Sequence, residues 1–255
     1  MIVDVNVNLS RWPFRRLPFD NTVRLVAKLR QNQVTQAWAG SFDGLLHNDV
    51  ASVNSRLAAD CREHGDGLLR PVGTVNPMLP DWQEDLRRCH DEHGMHAIRL
   101  NPNYHGYKLD AAECDELFRL AGKQGLIVLL ALKMEDVRTH HPLMPVPTVD
   151  TQPLEALVAR HSDVRLVVMN NYGTIRSDTA AKLAMAGQVY FEISHAERVG
   201  ALENLIHQVS YERILFGSHF PFFNLEASLL KFRESQLAGF ITEAIQRTNA
   251  QRLAT

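Results

Sequence analysis

The feature that most restricts what this chain can fold into is a regular alternation. Short runs of β-branched and aliphatic residues begin near Ile2, Val34, Leu68, Met95, Leu126, Val164, Val189 and Arg213, with amphipathic segments between them. Cys114, Leu117, Phe118 and Ala121 fall on an i, i+3, i+4, i+7 stripe. Leu154, Leu157 and Val158 repeat the stripe after a candidate cap at Asp150 or Thr151. Gly125, directly before the Leu126 run, sits where a helix C-cap glycine belongs. Strand–helix units at roughly 30-residue spacing fit an α/β fold of the (β/α)8 TIM-barrel type, in which one parallel sheet closes inside a ring of helices. The competing architecture is an open doubly wound sheet. No G-x-G-x-x-G or G-x-x-x-x-G-K-[ST] loop follows any run, which removes the nucleotide-binding versions of that fold. We expect a single domain over residues 1–255, a length sufficient for one large core and undivided by any low-complexity linker.

Composition narrows the function classes. Apolar residues make up 45% and charged residues 22%, with a formal charge of -2, so disordered, collagen-like and coiled-coil chains are excluded. Without a Lys/Arg block, nucleic acid is not expected as a partner. The longest apolar run, Leu126 to Leu132, is too short to cross a bilayer and reads as a buried strand; no membrane partner is expected. The chain opens on a strand-like segment instead of a signal peptide, so a cytoplasmic location is the expectation. Cys61, Cys89 and Cys114 have no CxxC spacing, which argues against disulfides and thiolate zinc. The unusual count is histidine, with 12.

In a barrel of this kind the chemistry lies at the C-terminal ends of the strands. Those ends are polar throughout: Asp4 to Asn8, Gly40 to Asp43, Asn76-Pro77, Arg99 to Pro102, Lys133 to Asp136, Asn170 to Gly173 (including Tyr172), Glu192 to His195 and Gly217 to Pro221. Period-2 alternation predicts Val3, Val5 and Val7 facing the helices and Asp4, Asn6 and Asn8 facing the axis.

Several motifs in barrel-compatible order resemble the amidohydrolase superfamily. They are the strand–polar-x-polar opening, the segment Gly94 to Pro102, the Leu-Phe-Gly-Ser-x-x-Pro segment Leu215 to Pro221, and the closing Asn249 to Leu253. The nearest branch is the one containing aminocarboxymuconate-semialdehyde decarboxylase. The resemblance spans essentially the whole chain. It implies a barrel enzyme cleaving C–N, C–O or C–C bonds of small carboxylates. It also implies a divalent metal held by an H-x-H after the first strand, histidines after the fifth and sixth, and an aspartate after the eighth. Here those positions fall on Asn6 and Asn8, Ala131, Asn171 and His219. Amide oxygens are weak neutral ligands and a methyl group is none, so no metal is expected at the family site and no other cofactor is implied.

The expected function is therefore hydrolysis, lactone opening or related cleavage of a small anionic substrate without the family metal. His219 would act as general base, Arg99 would hold a carboxylate or oxyanion, and Lys133 would serve as nucleophile or base if burial lowers its pKa. Asn6, Asn8 and Asn171 would orient the substrate. Each residue also has a structural reading: His219 as a hydrogen-bonded plug, Arg99 as the ion-pair partner of Asp4 or Glu192, Lys133 as an exposed loop lysine. The segment Lys133 to Asp150 is long for a βα loop. Arg138, His140 and His141 are read there as a cationic lip over the pocket, or the loop as a subunit contact around Met144 and Pro145 in a homo-oligomer. His195 adds an imidazole, although Ser194 with Glu197 also reads as a helix capping box. Two further functions stand beside the first: a catalytically inactive barrel that binds a small ligand or a protein partner, and a hydrolase with a metal site rebuilt from His219 and His195, with Glu192 and His105 as further candidates.

Overall fold

The computed structural model describes residues 1–171 and 173–255. Its strands are β1 (Ile2–Leu9), β2 (Val34–Ser41), β3 (Leu69–Pro71), β4 (Gly73–Thr74), β5 (Ala97–Leu100), β6 (Ile127–Ala131), β7 (Leu166–Met169), β8 (Val189–Glu192) and β9 (Ile214–Leu215). All neighbouring pairs run parallel, in the orders β1-β2-β3 and β4 through β9. Each expected strand is present, starting within two residues of its sequence-based position. The third is divided into β3 and β4 around Val72, whose N–H donates to Ala39 O at 2.9 Å and carries the pairing across. Pro71 contributes no donor at this point.

The barrel closes where β9 and the residues after it meet β1. Val5 N donates to Phe216 O at 3.0 Å and Asn8 N to Phe220 O at 2.9 Å. The buried Asp4 carboxylate reinforces the seam, accepting from Asn6 N and Ser218 N at 3.0 Å each and from the Ser218 hydroxyl.

Two apolar layers follow from strand alternation. Trp38, Val72, Ala97, Ile127, Leu129, Val167, Met169, Tyr190 and Leu215 fill the interior. Ile98, Leu100, Val128, Leu130, Val168 and Phe216 face outward, where the apolar stripes of the helices cover them. Helix α5 (Ala112–Lys123) buries Cys114, Leu117, Phe118 and Ala121, the stripe read from the sequence, and Gly125 follows it at φ 66 as its terminating glycine. Helix α6 (Leu154–Arg160) buries Leu154, Leu157 and Val158. Its N-cap is Pro153 instead of Asp150 or Thr151, and Asp150 accepts from Gln152 N at 3.0 Å. Ala250 and Leu253 of the C-terminal helix α11 (Asn249–Ala254) join the interior layer. Arg165, just before β7, fixes that helix at the strands' N-terminal end by donating to Leu253 O.

The first strand departs from simple alternation. Val3 and Val5 belong to the interior layer and only Val7 joins the outer one, which corrects the expected facing of the first two. The physical reason is a pair of register irregularities against β2, between Ile2 and Val3 and between Asp4 and Val7. The phase change still turns Asn6 and Asn8 toward the centre, where they meet Asn170 and Arg99.

Because Asp4 satisfies two backbone donors and a hydroxyl that water cannot reach, Asp4→Ala should lower the unfolding free energy by about 3 kcal/mol or more. Urea denaturation measures this, and a loss under about 1 kcal/mol would show that the seam holds without the carboxylate.

Candidate active site

The strand C-termini build two layers, a polar centre and an aromatic cap. In the centre, Asn6 Nδ2 donates to Asn170 Oδ1 at 2.8 Å, and Asn170 Nδ2 donates to Lys133 O at 2.6 Å. Glu192 accepts from Asn170 N at 2.6 Å and from the backbone and hydroxyl of Ser194 at 2.7 Å each. Arg99 donates to Asn8 Oδ1 and, at 3.4 Å, to Val7 O. Both carboxylates that could have paired with Arg99 are thus committed elsewhere, Asp4 to Ser218 and Glu192 to Ser194. Among the described residues the Arg99 guanidinium, 3% exposed, makes no ion pair. Burial lowers its pKa to about 10, with Glu192 and Asp4 opposing at longer range.

His219 is completely buried, at φ 56. Its Nε2 lies 2.7 Å from Met134 O. A carbonyl only accepts, so the proton sits on Nε2 and the lone pair on Nδ1, a buried atom with no hydrogen-bond partner among the described residues. Asn6 Oδ1, Asn8 Nδ2, Arg99 Nε and Asn101 Oδ1 are buried and unpartnered in the same way. Burial holds the His219 pKa down to about 4, and the positive charge of Arg99 adds to the effect. The His195 ring lies 5.7 Å from that of His219, its pKa lowered to about 2 by burial first and then by neighbouring positive charge.

The rings of the cap come from four different strand ends. Trp12 packs edge-on against Phe14, Phe42, Tyr104 and Phe222, with ring centroids 4.9 to 6.4 Å apart. Ala131 and Met134 complete the apolar cluster beneath it. Phe222 stacks on His219 at 4.9 Å. An Arg15–Glu135 ion pair and the Arg15 guanidinium over Phe222 close the outer surface.

The other candidates are dispersed. Asn171 lies outside the centre and accepts from Ile175 N at 2.8 Å; its neighbour Asn170 occupies the inward place. Asn170 has φ 56, a conformation that asparagine tolerates, and this breaks the period-2 extrapolation from Val167 and Met169. Ser194 serves Glu192 and not a helix cap, since α8 (Ala201–Val209) begins after Gly200. Lys133 is partly buried, which lowers its pKa, and lines a small crevice with Asn101, Tyr104 and His140. Arg138 folds back on Asp136 at 2.8 Å, His140 accepts from Val146 N, and His141 packs against Phe14 at 5.6 Å, so these three do not form one cationic lip. Tyr172, part of the polar sixth strand end in the sequence, lies outside the described residues. Sequence reasoning missed Asn170, Ser194, Ser218 and the cap; the aromatic Trp12 and Phe14 directly after the first strand were the available signal for the cap.

A divalent ion does not fit these donors. Asn8 Oδ1 and Asn170 Oδ1 are engaged with protein, position 131 offers a methyl group and His219 Nε2 faces a carbonyl, which leaves two neutral amide oxygens, Asn6 Oδ1 and Asn101 Oδ1, beside the single imidazole nitrogen His219 Nδ1. His105, a candidate for a rebuilt site, has its Nε2 2.9 Å from Gly44 O. Among the described residues no three His, Cys, Asp or Glu side chains are grouped to hold a metal.

Parallel strands closed into a barrel, with a polar centre at their C-terminal ends, are the architecture of the (β/α)8 barrels. Residues 11–253 match the amidohydrolase family model, and the chain belongs to that family. Its fold is similar to 5-carboxyvanillate decarboxylase from Sphingomonas paucimobilis, at 13% identity and TM-score 0.79 over 99% of this chain and 98% of that one. It is also similar to 2,6-dihydroxybenzoate decarboxylase from Rhizobium, at 15% identity and TM-score 0.70 over 98% of each chain. A third similar structure is dihydroxybenzoic acid decarboxylase from Polaromonas sp. JS666 with bound manganese, at 14% identity and TM-score 0.74 over 99% of this chain and 96% of that one. At these identities the likeness speaks for the fold. No curated protein matches the sequence. Among the described residues, no helix is long and apolar enough to cross a membrane.

The buried groups set the response to pH. As pH falls from about 6.5 to about 4, the unfolded chain binds a proton that folded His219 refuses, so stability falls. His195 and His96, both depressed by burial, act in the same direction. Asp4, raised to about 7 by burial, acts oppositely: its contribution is fully present below about pH 4 and is lost as pH rises to about 7. The three imidazoles outweigh one carboxyl, so acidification from pH 6.5 should lower the urea midpoint. His219→Gln should make the dependence shallower by up to about 1.4 kcal/mol per pH unit, and an unchanged slope would show that His219 titrates normally in the folded protein.

Proposed function

We propose that this chain is an amidohydrolase-family enzyme acting on a small carboxylate without a bound metal, at the polar centre beneath the cap. The observation that carries this reading is Arg99, a buried cation held by two neutral acceptors and no carboxylate. An uncompensated buried charge costs several kcal/mol, and a substrate carboxylate offsets that cost because its geometry matches the guanidinium fork.

The neighbouring groups supply the remaining chemistry. His219 Nδ1 takes a proton from water as the water oxygen attacks the carbonyl of an ester, lactone or amide, and returns it to the leaving oxygen or nitrogen. Arg99 Nε and Asn8 Nδ2 donate to the oxyanion that forms, while Asn6 Oδ1 and Asn101 Oδ1 accept from substrate hydroxyls. The charge of Arg99 depresses the basicity of His219, so a carboxylate bound there raises it. Substrate binding thereby prepares the base. Similar structures include decarboxylases of dihydroxybenzoate and carboxyvanillate, which support benzoate and its hydroxylated derivatives as the first carboxylates to try. Decarboxylation is the alternative C–C cleavage that the same carboxylate anchor would serve.

Benzoate should raise the melting temperature of the wild-type protein and leave Arg99→Gln unchanged. Turnover of hydroxybenzoate esters should survive chelator treatment and fall about 100-fold or more in His219→Gln. An active His219→Gln protein or a chelator-sensitive wild type overturns the reading. The Trp12 cap favours a second function, a catalytically silent barrel that binds a carboxylate; it predicts the same stabilisation with no product.

A further inference from the structure

The segment that carries Trp12 over the polar centre is held in place by its side chains. Residues 11–18 follow β1 and supply Trp12, Phe14 and Arg15 to the cap. Among the described residues, no backbone group from 11 to 20 makes a hydrogen bond to another backbone group. The neighbouring loops are tied differently. After β5, Tyr104 N donates to Asn101 O at 3.1 Å, and after β9, Phe223 N donates to His219 O at 3.2 Å. After β6, Thr139 N donates to Asp136 O and Val149 N to Leu132 O, at 2.9 Å each. Both ends of the segment are anchored: the Ser10 hydroxyl accepts from Asp43 N at 3.2 Å, and the Phe19 ring packs 5.3 Å from that of Phe220. Ser10 and Phe19 have φ of 66 and 60, values uncommon for residues with a side chain. Between these ends, Trp12 and Leu17 are buried in the cap cluster, while Arg11 and Arg16 pair with Asp20 beside the second anchor. Among the described residues, the one ion pair from the segment to another loop is Arg15–Glu135, whose carboxylate is 4% exposed and also accepts from the Thr139 hydroxyl at 3.1 Å.

We propose that residues 11–18 are a lid, hinged near Ser10 and Phe19 and latched by the Arg15–Glu135 pair, which lifts to admit substrate and is drawn shut by a carboxylate seated on Arg99. The closing step rests on the carboxylate reading of Arg99; the lid and its latch do not. Lifting the segment separates Trp12 from Phe42, Tyr104 and Phe222 and breaks the Arg15 pair, but costs no hydrogen bond between backbone groups. Against that loss stand polar groups that closure leaves buried without a partner. They are the Trp12 indole N–H in the lid itself and Arg99 Nε, Asn8 Nδ2 and His219 Nδ1 below it. Water reaches such groups when the lid is up, so the closed state is held less firmly than its ring contacts suggest. Arg99 is also an uncompensated buried cation, which favours the open state until an anion arrives. A carboxylate on the guanidinium offsets that cost in the closed form, and a ligand shifts a two-state equilibrium by its difference in affinity for the two states. Segments with few backbone hydrogen bonds open at low free energy, and substrate lids are drawn from them.

Trp12 and Trp82 provide the test, because they are almost equally buried, at 4% and 5% exposed, on elements of different kinds. Trp82 opens helix α3 (Trp82–Asp91) and packs in the outer apolar layer. Hydroxynitrobenzyl bromide alkylates indole, and peptide mass spectrometry after digestion gives the extent at each tryptophan, normalised to the urea-unfolded protein. Trp12 should be labelled at least about fivefold more than Trp82, as local opening without global unfolding requires, and a smaller ratio overturns the lid. Arg15→Gln should raise Trp12 labelling a further two- to fivefold, roughly the worth of a partly exposed ion pair, and leave Trp82 unchanged. No rise at Trp12, or an equal rise at both, overturns the latch. Benzoate at a concentration that raises the melting temperature should lower Trp12 labelling at least about threefold; unchanged or greater labelling under that condition overturns closure by the carboxylate. If benzoate shifts no melting temperature, the carboxylate reading falls and the closing step with it, while the first two comparisons still decide the lid.

Discussion

The structure depends on closing a parallel sheet, and the last strand has little with which to do so. β9 contains two residues, and the ladder that joins its continuation to β1 consists of a few backbone bonds around Val5 and Asn8. Asp4 completes the seam by gathering Asn6 N, Ser218 N and the Ser218 hydroxyl, while that hydroxyl accepts from Phe220 N at 3.1 Å. One carboxylate thus holds the first strand, the end of the last and the approach to His219 in fixed relation. Its burial has a cost, visible in a pKa raised to about 7.

The same commitment shapes the centre. With Asp4 spent on the seam and Glu192 on the turn at Ser194, neither carboxylate is left to neutralise Arg99. The centre is thus a network of amides around one cation. Its unpartnered buried atoms include donors on Arg99 and Asn8 and acceptors on Asn6, Asn101 and His219.

Strand and helix periodicity made the barrel legible in the sequence, since each interior position repeats every second residue and each helix presents one apolar stripe. Where the backbone leaves that regularity, reading by period failed. The irregular pairing of β1 turned Val3 and Val5 inward, and the positive φ of Asn170 put that residue, not Asn171, beside Asn6. His219 and Arg99, both named at polar strand ends, stand in the centre. The cap was illegible for a different reason. The Trp12-Phe14 pair, Phe42, Tyr104 and Phe222 are far apart in the chain, and only closure of the barrel brings their loops over one another.

Two glycines give the centre its bore. A Cβ at Gly40 would stand 2.8 Å from the Arg99 guanidinium, and one at Gly217 would stand 2.3 Å from a Glu192 oxygen. The barrel wall is recessed at these points, and each charged side chain lies in the recess instead of across the axis. A single added methyl on either strand would push a charged side chain toward the central space without changing the identity of any polar residue. Divergence among barrels of this kind can therefore proceed by changing the wall as well as the groups mounted on it, and a comparison confined to the polar residues would overlook the change.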